Sequence, residues 1–246
     1  MSELDETTRS RGAARADATA RAGDAARAPG ARPSSATLLG CVALLLAPVA
    51  GSAGGALELL TLGGIDPASD PAAFLGAVTA APGLWSGMGA AMLVMALLTM
   101  LWAPAVWRLA HGSSPRWAWA AAVGGALFAF GQAVHLVSWI VLSQALAAAL
   151  EPDAALGVIA AIESNGLFTV IFAPYLLGAL LAAPLAAIAL WRARLLPVWS
   201  IPVIAVASIG MLLIGTGSPV ILIAYPALWI AAFAPALARL LRRRER

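Results

Sequence analysis

The chain has no lysine, and only 11% of its 246 residues are charged, less than half of what a soluble globular domain carries. Cys41 is its one cysteine, which excludes an intramolecular disulfide, a cysteine-based metal cluster and thiol redox chemistry by the chain alone. Arginine without lysine, beside abundant alanine and glycine, indicates a GC-rich bacterial genome. We therefore expect a bacterial protein whose main solvent is lipid.

Motifs of several enzyme classes are missing as well. The two histidines, His111 and His135, lie too far apart along the chain to ligate one haem. No H-E-x-x-H zinc signature, P-loop or dinucleotide fingerprint occurs, and the GLWSG segment at 83–87 has the wrong spacing and position for an intramembrane serine protease of the rhomboid kind. The sequence predicts a protein that is not an enzyme and holds no metal or cofactor.

Apolar residues, in contrast, make up 61% of the chain and lie in long runs. About 20 apolar residues in a helix cross a hydrocarbon core of ~30 Å. The runs predict an all-α fold, namely a polytopic transmembrane helical bundle with six spans and both termini in the cytoplasm. The predicted spans cover residues 36–60, 85–110, 117–150, 165–190, 198–214 and 219–240.

The chain divides into three regions. Residues 1–35 have almost no large apolar side chain and are predicted to form a disordered cytoplasmic tail. Residues 36–241 form the six-helix transmembrane domain, and residues 242–246 form a basic cytoplasmic tail. Asp70-Pro71 and Glu151-Pro152 each open a short apolar stretch, which predicts two short helices on the outer membrane surface.

The arginines indicate orientation. All 15 fall in the two tails, the second-to-third connection and the fourth-to-fifth connection. Because basic loops face the cytoplasm, the chain is predicted to be a multi-pass protein of the bacterial plasma membrane. The C-terminal cluster predicts an anchor on anionic lipid, at about 1 kcal/mol per side chain. Its members are Arg239, Arg242, Arg243, Arg244 and Arg246. The net charge of +3 therefore reflects membrane orientation and not nucleic-acid binding.

The third span carries polar residues at helical spacing. Gln132, His135 and Ser138 lie three residues apart, so on an α-helix they share one face with Trp139. Polar side chains are costly in hydrocarbon unless they turn toward the bundle or a partner. This face is the candidate site, either as a polar pathway or as a hydrogen-bonded packing surface. Further candidates on other segments are Glu58, Asn165 and Tyr175.

Proline and glycine bear on how the spans pack. Every predicted span except the third contains proline, which predicts kinks. Gly51 and Gly55 lie four residues apart in the first span, a spacing that lets a second helix approach closely. This spacing serves packing within the chain or homodimerisation, and the sequence leaves both open.

Tryptophan and arginine recur at the predicted cytoplasmic interface. Residues 189–199 read ALWRARLLPVW and follow a span rich in glycine and alanine. In this segment, and in the acidic outer loop and basic tails, the chain resembles a widespread group of uncharacterised actinobacterial integral membrane proteins. The resemblance implies a membrane-spanning fold and location, and it supplies no catalytic residues.

Two functions fit these observations. The leading hypothesis is a non-enzymatic accessory or sensor-like membrane component, whose partners are the lipid bilayer and either a second membrane protein or another copy of the chain. The alternative is a small permease or channel-like transporter with a polar pathway along the third span. A permease needs polar residues from several spans at one cavity, whereas an accessory protein needs only an exposed face.

Overall fold

A computed structural model describes residues 34–67 and 69–245, so the predicted N-terminal tail lies almost wholly outside the described residues. All regular structure in the described part is helical, and the all-α prediction is confirmed. The helices in chain order are α1 (Ser35–Leu62), α2 (Pro71–Ala80), α3 (Pro82–Ala110), α4 (Pro115–His135), a π-helix (Leu136–Val141), α5 (Leu142–Ala149), α6 (Pro152–Glu163), α7 (Gly166–Arg192), α8 (Ser200–Ile214) and α9 (Pro219–Glu245).

Five stretches of helix in the described part are long and apolar enough to cross a membrane. They are α1, α3, the continuous run from α4 to α5, α7 and α9. The fold is therefore a helical membrane bundle. The fifth predicted span corresponds to α8, whose 15 residues extend only about 22 Å against a hydrocarbon core of ~30 Å. The count of six spans stays a prediction.

The glycine pair of α1 packs within the chain. A Cβ atom added to Gly51 would lie 2.5 Å from the sulfur of Met95 in α3, and one added to Gly55 would lie 2.7 Å from Leu222 Cδ2 in α9. The absence of side chains thus lets both helices approach α1. Packing within the chain is the alternative that the structure shows for this pair, and homodimerisation through another face stays a prediction.

Neighbouring long helices alternate in direction. Trp229 of α9 contacts Leu44 in the first half of α1, whereas Leu222 lies beside Gly55 in its second half, so the start of α1 and the end of α9 share one end of the bundle. The described arginines follow the same alternation, and we call the end that carries them the arginine end. They are Arg108, Arg116, Arg192, Arg194, Arg239, Arg242, Arg243 and Arg244.

Helices α4 and α7 also meet through glycines. A Cβ atom on Gly178 of α7 would lie 2.5 Å from the backbone nitrogen of Phe128 in α4, and one on Gly131 of α4 would overlap Tyr175 of α7. Glycine is needed at both positions because backbone atoms, unlike the end of a flexible side chain, cannot move aside. The two helices therefore touch backbone to backbone.

The two short predicted helices are present as α2 and α6. Asp70 caps α2, because its Oδ1 accepts a hydrogen bond of 2.9 Å from the backbone N–H of Ala73. Phe74 of α2 is buried against the rings of Trp85 and Trp139, with ring centroids 5.5 Å and 5.0 Å away. The prediction placed this helix on the membrane surface. The structure adds that α2 packs against Trp85 of α3 and Trp139 of the π-helix and forms part of a core.

The third span contains a difference from the sequence expectation. The sequence predicts an α-helix throughout residues 117–150, but Leu136–Val141 form a π-helix. Trp85 of α3 donates its Nε1–H to the carbonyl of Ile140 at 3.2 Å and to Ser143 Oγ at 3.0 Å. These bonds satisfy backbone and side-chain oxygens at the widened turn, as a membrane interior requires.

Pro48 lies inside α1 and has no N–H to donate to the carbonyl of Leu44, four residues earlier. Trp229 of α9 donates its Nε1–H to that carbonyl at 2.7 Å. The indole therefore replaces the backbone hydrogen bond that the proline removes. The same contact joins the first and last long helices of the bundle.

Candidate functional site

A cavity of about 230 Å³ lies inside the bundle. Side chains from α1, α3, α4, α7, α8 and α9 line it, together with the turn that joins α8 to α9. Its wall is mainly apolar and carries a few convergent polar groups, the usual arrangement of a small-molecule site. The polar side chains of the wall are Glu58, Thr99, Gln132, His135, Tyr175, Ser208, Thr216 and Tyr225.

Four of the predicted site residues meet at this cavity. Glu58 comes from α1, Gln132 and His135 come from α4, and Tyr175 comes from α7. Gln132 is only 1% exposed, so its amide faces the interior of the protein and not lipid. Three helices that are distant in sequence thus supply one site.

Ser138 and Asn165 lie elsewhere. The hydroxyl of Ser138 donates to the carbonyl of Val134 at 2.8 Å, and the residue lines a separate pocket of about 50 Å³ with Trp139. Asn165 is exposed in the connection before α7. The π-helix accounts for Ser138, because each residue of a π-helix turns through a smaller angle than in an α-helix. Side chains after His135 therefore leave the face that carries the cavity.

Glu58 is half-buried one turn before the end of α1. Thr216 donates its hydroxyl hydrogen to Glu58 Oε2 at 2.7 Å. Because Thr216 lies in the turn between α8 and α9, this bond ties that turn to α1 at the end of the bundle remote from the arginines. A Cβ atom on Gly55 would lie 2.8 Å from Thr216 Cγ2, so glycine makes room for the threonine to approach.

An aromatic stack joins α4 to α7 along the cavity wall. The ring of Tyr175 stacks on His135 with centroids 5.7 Å apart and planes within 3° of parallel. Phe128 stacks on the same tyrosine at 5.7 Å and 13°, and Phe172 contacts it at 5.0 Å. The imidazole of His135 is therefore part of a continuous aromatic stack with Tyr175 and Phe128.

Three buried polar atoms of the wall have no hydrogen-bond partner among the described residues. They are Gln132 Oε1, His135 Nδ1 and Ser208 Oγ. A buried polar atom without a partner costs about 1–3 kcal/mol. The space beside these atoms can hold a ligand that supplies the missing partners.

Sequence reasoning missed four polar groups of the wall, namely Thr99, Ser208, Thr216 and Tyr225. Ser208 had a usable signal, because a hydroxyl in an apolar helix usually turns toward other helices. Thr216 reads only as a residue of a tight turn, and its partner Glu58 lies far away along the chain. No local sequence pattern predicts the hydrogen bond between Thr216 and Glu58.

The predicted lipid anchor lies at the opposite end of the bundle. Three of its arginines are exposed in the last turn of α9, namely Arg242, Arg243 and Arg244. Arg239 donates Nη1–H to the carbonyl of Arg194 at 2.7 Å, where Arg194 has a left-handed backbone with φ of 58°. Arg239 therefore supports the turn after α7. The last residue of the predicted anchor, Arg246, lies outside the described residues.

No protein-family model matches the chain, and no curated protein or solved structure is significantly similar to it. Within residues 34–67 and 69–245, no group of three or more His, Cys, Asp or Glu side chains is placed to hold a metal ion. The function of the cavity therefore follows from its geometry and chemistry alone.

Proposed function

We propose that the protein is a small permease of the bacterial plasma membrane whose pathway runs through the cavity. The observation that carries this proposal is the convergence of Glu58, Gln132, His135 and Tyr175, from three separate helices, on one space inside a largely apolar bundle. Polar side chains are expensive within a membrane, and where they surround a cavity they mark substrate or ion pathways.

The accessory hypothesis explains the cavity less well. A protein that acts only through an exposed face gains nothing from buried polar atoms without partners, such as Gln132 Oε1 and Ser208 Oγ. Such atoms lower stability unless a guest pairs with them. The convergence of polar groups therefore favours the permease over the accessory component.

Six crossings with both termini in the cytoplasm fit this function. Ser200 at the start of α8 donates to the carbonyl of Ala232 at 2.9 Å, and Thr216 just after its end bonds Glu58. The short α8 thus reaches from the middle of α9 to the end of α1, and it crosses beside them where the bilayer adapts to its length. The arginine end faces the cytoplasm under the positive-inside rule.

Cysteine labelling in membrane vesicles tests this proposal. In a Cys41→Ala background, Ser208→Cys puts a thiol on the cavity wall, and Ser52→Cys puts one at a buried site outside that wall. The hydroxyl of Ser52, like that of Ser208, has no partner among the described residues. We expect a small water-soluble methanethiosulfonate reagent to label Ser208→Cys and to spare Ser52→Cys. The reason is that a permease must admit water to its pathway.

Both variants are labelled after unfolding in SDS to show that each thiol is present and reactive. If neither thiol reacts in folded protein, the cavity is sealed and the permease proposal fails. If both react, the protein is loosely packed throughout, and the labelling no longer identifies a pathway.

A further inference from the structure

Resting on the proposed function, we infer that the cavity binds a small protonated amine that carries an aromatic or apolar group. The charged residues of the cavity wall favour a cation. Glu58 is the one carboxylate among the described residues of the wall, and no arginine is among them. The hydrogen bond described for Glu58 comes from the neutral hydroxyl of Thr216, and a carboxylate so placed is stabilised by a cation and destabilised by an anion.

The second argument is the aromatic content of the wall. The faces of aromatic rings carry negative potential and attract a cation within about 6 Å of the ring centre. Tyr225 and Trp229 meet edge to face at 5.6 Å, so the cavity is bordered by rings on the α9 side as well as on the stacked α4 and α7 side. The aromatic residues of the wall are Trp102, Phe128, Tyr175, Tyr225 and Trp229.

The third argument is hydrogen bonding, which selects a protonated amine over a quaternary ammonium. Gln132 Oε1 is an acceptor of the wall without a described partner, and His135 Nδ1, also without one, accepts when the ring is neutral with its hydrogen on Nε2. Glu58 keeps its second carboxylate oxygen available, because Thr216 bonds only Oε2. A primary ammonium supplies N–H donors to such atoms, whereas a quaternary ammonium has none and leaves them unpaired.

The volume sets the size of the ligand. A cavity of about 150 Å³ is enough to hold benzene. The present cavity measures about 230 Å³, which accommodates one aromatic ring with a short aminoalkyl group. Benzylamine has this size and is protonated at neutral pH, so it serves as the probe.

The experiment compares benzylamine with benzyl alcohol, which has nearly the same shape and no charge. Binding to the full-length chain in lipid nanodiscs is measured by isothermal titration calorimetry, with empty nanodiscs as the blank. We expect benzylamine to bind at least about tenfold more tightly than benzyl alcohol. Glu58→Gln, which keeps an acceptor for Thr216, is expected to weaken benzylamine binding by about thirtyfold or more. Benzyl alcohol binding is expected to stay unchanged.

Glu151→Gln is the matched control, because it removes an exposed carboxylate just before α6, away from the cavity wall. It is expected to leave both affinities unchanged. Equal affinity for the two probes, or benzylamine binding that survives Glu58→Gln, overturns the amine assignment. In both cases the permease proposal is decided separately by the labelling of Ser208→Cys.

Absence of binding by both probes also overturns the amine assignment. The labelling of Ser208→Cys then decides the fate of the permease proposal separately, since that reagent reports access to the cavity and not ligand chemistry. The two proposals can therefore fail independently.

A second variant keeps the assignment testable if Glu58→Gln does not fold. Phe128→Leu preserves an apolar wall but removes a ring face beside Tyr175. We expect it to weaken benzylamine binding by at least about threefold more than benzyl alcohol binding. Equal losses for the two probes would mean that the ring contributes only contact area, and the amine assignment would be overturned.

Discussion

The two halves of the bundle use the same helices in opposite ways. Toward the arginine end, α7 packs through Ala186, Ala187 and Ala189, and all three are completely buried. In the other half, which we call the cavity half, the same helix places the large ring of Tyr175 in the wall of the cavity. Small side chains let helices meet closely, whereas the larger side chains of the wall surround a space between the helices. The bundle is therefore closed at one end and contains a cavity toward the other.

Polar groups follow the same division. Toward the closed end, the side chains of Ser200 and Arg239 donate to backbone carbonyls of other segments. In the cavity half, Thr216 and Glu58 bond side chain to side chain, and Gln132 Oε1 has no described partner. Trp107 Nε1, near the arginine end, is also buried without a partner among the described residues, but it does not line the cavity. Hydrogen-bonded polar groups hold helices together, and unpaired ones that line a cavity mark places where another molecule can bind. Close packing of α7 and the cavity thus lie toward different ends of one bundle.

The largest expected effect concerns orientation, because the arginine end and the opposite end of the bundle are predicted to face different sides of the membrane. Ser69 precedes α2 and Ser113 follows α3, and both are exposed. In a Cys41→Ala background, we expect an impermeant maleimide to label Ser69→Cys in intact cells and Ser113→Cys only after permeabilisation. The expected difference is all or none, because the positive-inside rule predicts that the arginine end stays in the cytoplasm. Labelling is measured as a shift in gel mobility.

Ser164→Cys, at an exposed site before α7, is an independent reporter of the outer side. It is expected to behave like Ser69→Cys. Labelling of Ser113→Cys alone in intact cells would reverse the proposed orientation. Opposite results for positions 69 and 164 would contradict the alternation of the first four crossings.

Gly178→Ala tests the backbone contact of α4 with α7 beside the cavity, where Gly178 and Phe128 both belong to the wall. The added Cβ atom would lie 2.5 Å from the nitrogen of Phe128 and 2.9 Å from the carbonyl oxygen of Gly124. Since both are backbone atoms, one helix has to shift. We expect the free energy of unfolding in detergent to fall by about 1–3 kcal/mol, measured by chemical denaturation followed by circular dichroism.

Gly157→Ala is the matched control, because this glycine is exposed in α6 and an added Cβ atom meets nothing within 4 Å. Alanine favours helix over glycine by up to about 1 kcal/mol, so this variant is expected to be as stable as the parent or more stable. If Gly178→Ala proves equally harmless, α4 and α7 are not in backbone contact beside the cavity.

Much of the fold was predictable from the sequence because it depends on local features. Long apolar runs define the helices, and Asp70-Pro71 both caps and opens α2. Ala, Gly and Arg positions indicate which segments pack closely and which mark helix ends. The number of crossings is less certain from sequence, because the apolar run that forms α8 ends after 15 helical residues.

The candidate site was predictable only in part. The spacing of Gln132 and His135 places both on one α-helical face, and both line the cavity. Ser138 continues the same spacing, but the π-helix turns it away, and Trp85 supports that π-helix from a different span. The bond of Thr216 to Glu58 is likewise a contact between distant segments. A single sequence shows spacing along a helix and does not show such contacts.

The smallest expected effect concerns the joint between α1 and α9 that borders the cavity. Trp229→Phe keeps a ring but removes the donor to the carbonyl of Leu44, which Pro48 has left without its backbone partner. We expect the free energy of unfolding to fall by about 1 kcal/mol. In a Pro48→Ala background the backbone N–H of residue 48 supplies the missing donor, so the same tryptophan change should cost clearly less. Unfolding of the four proteins of this double-mutant cycle measures the coupling. If the two changes are additive, the indole acts only as an apolar wall of the cavity, and the link between the proline and the tryptophan is wrong.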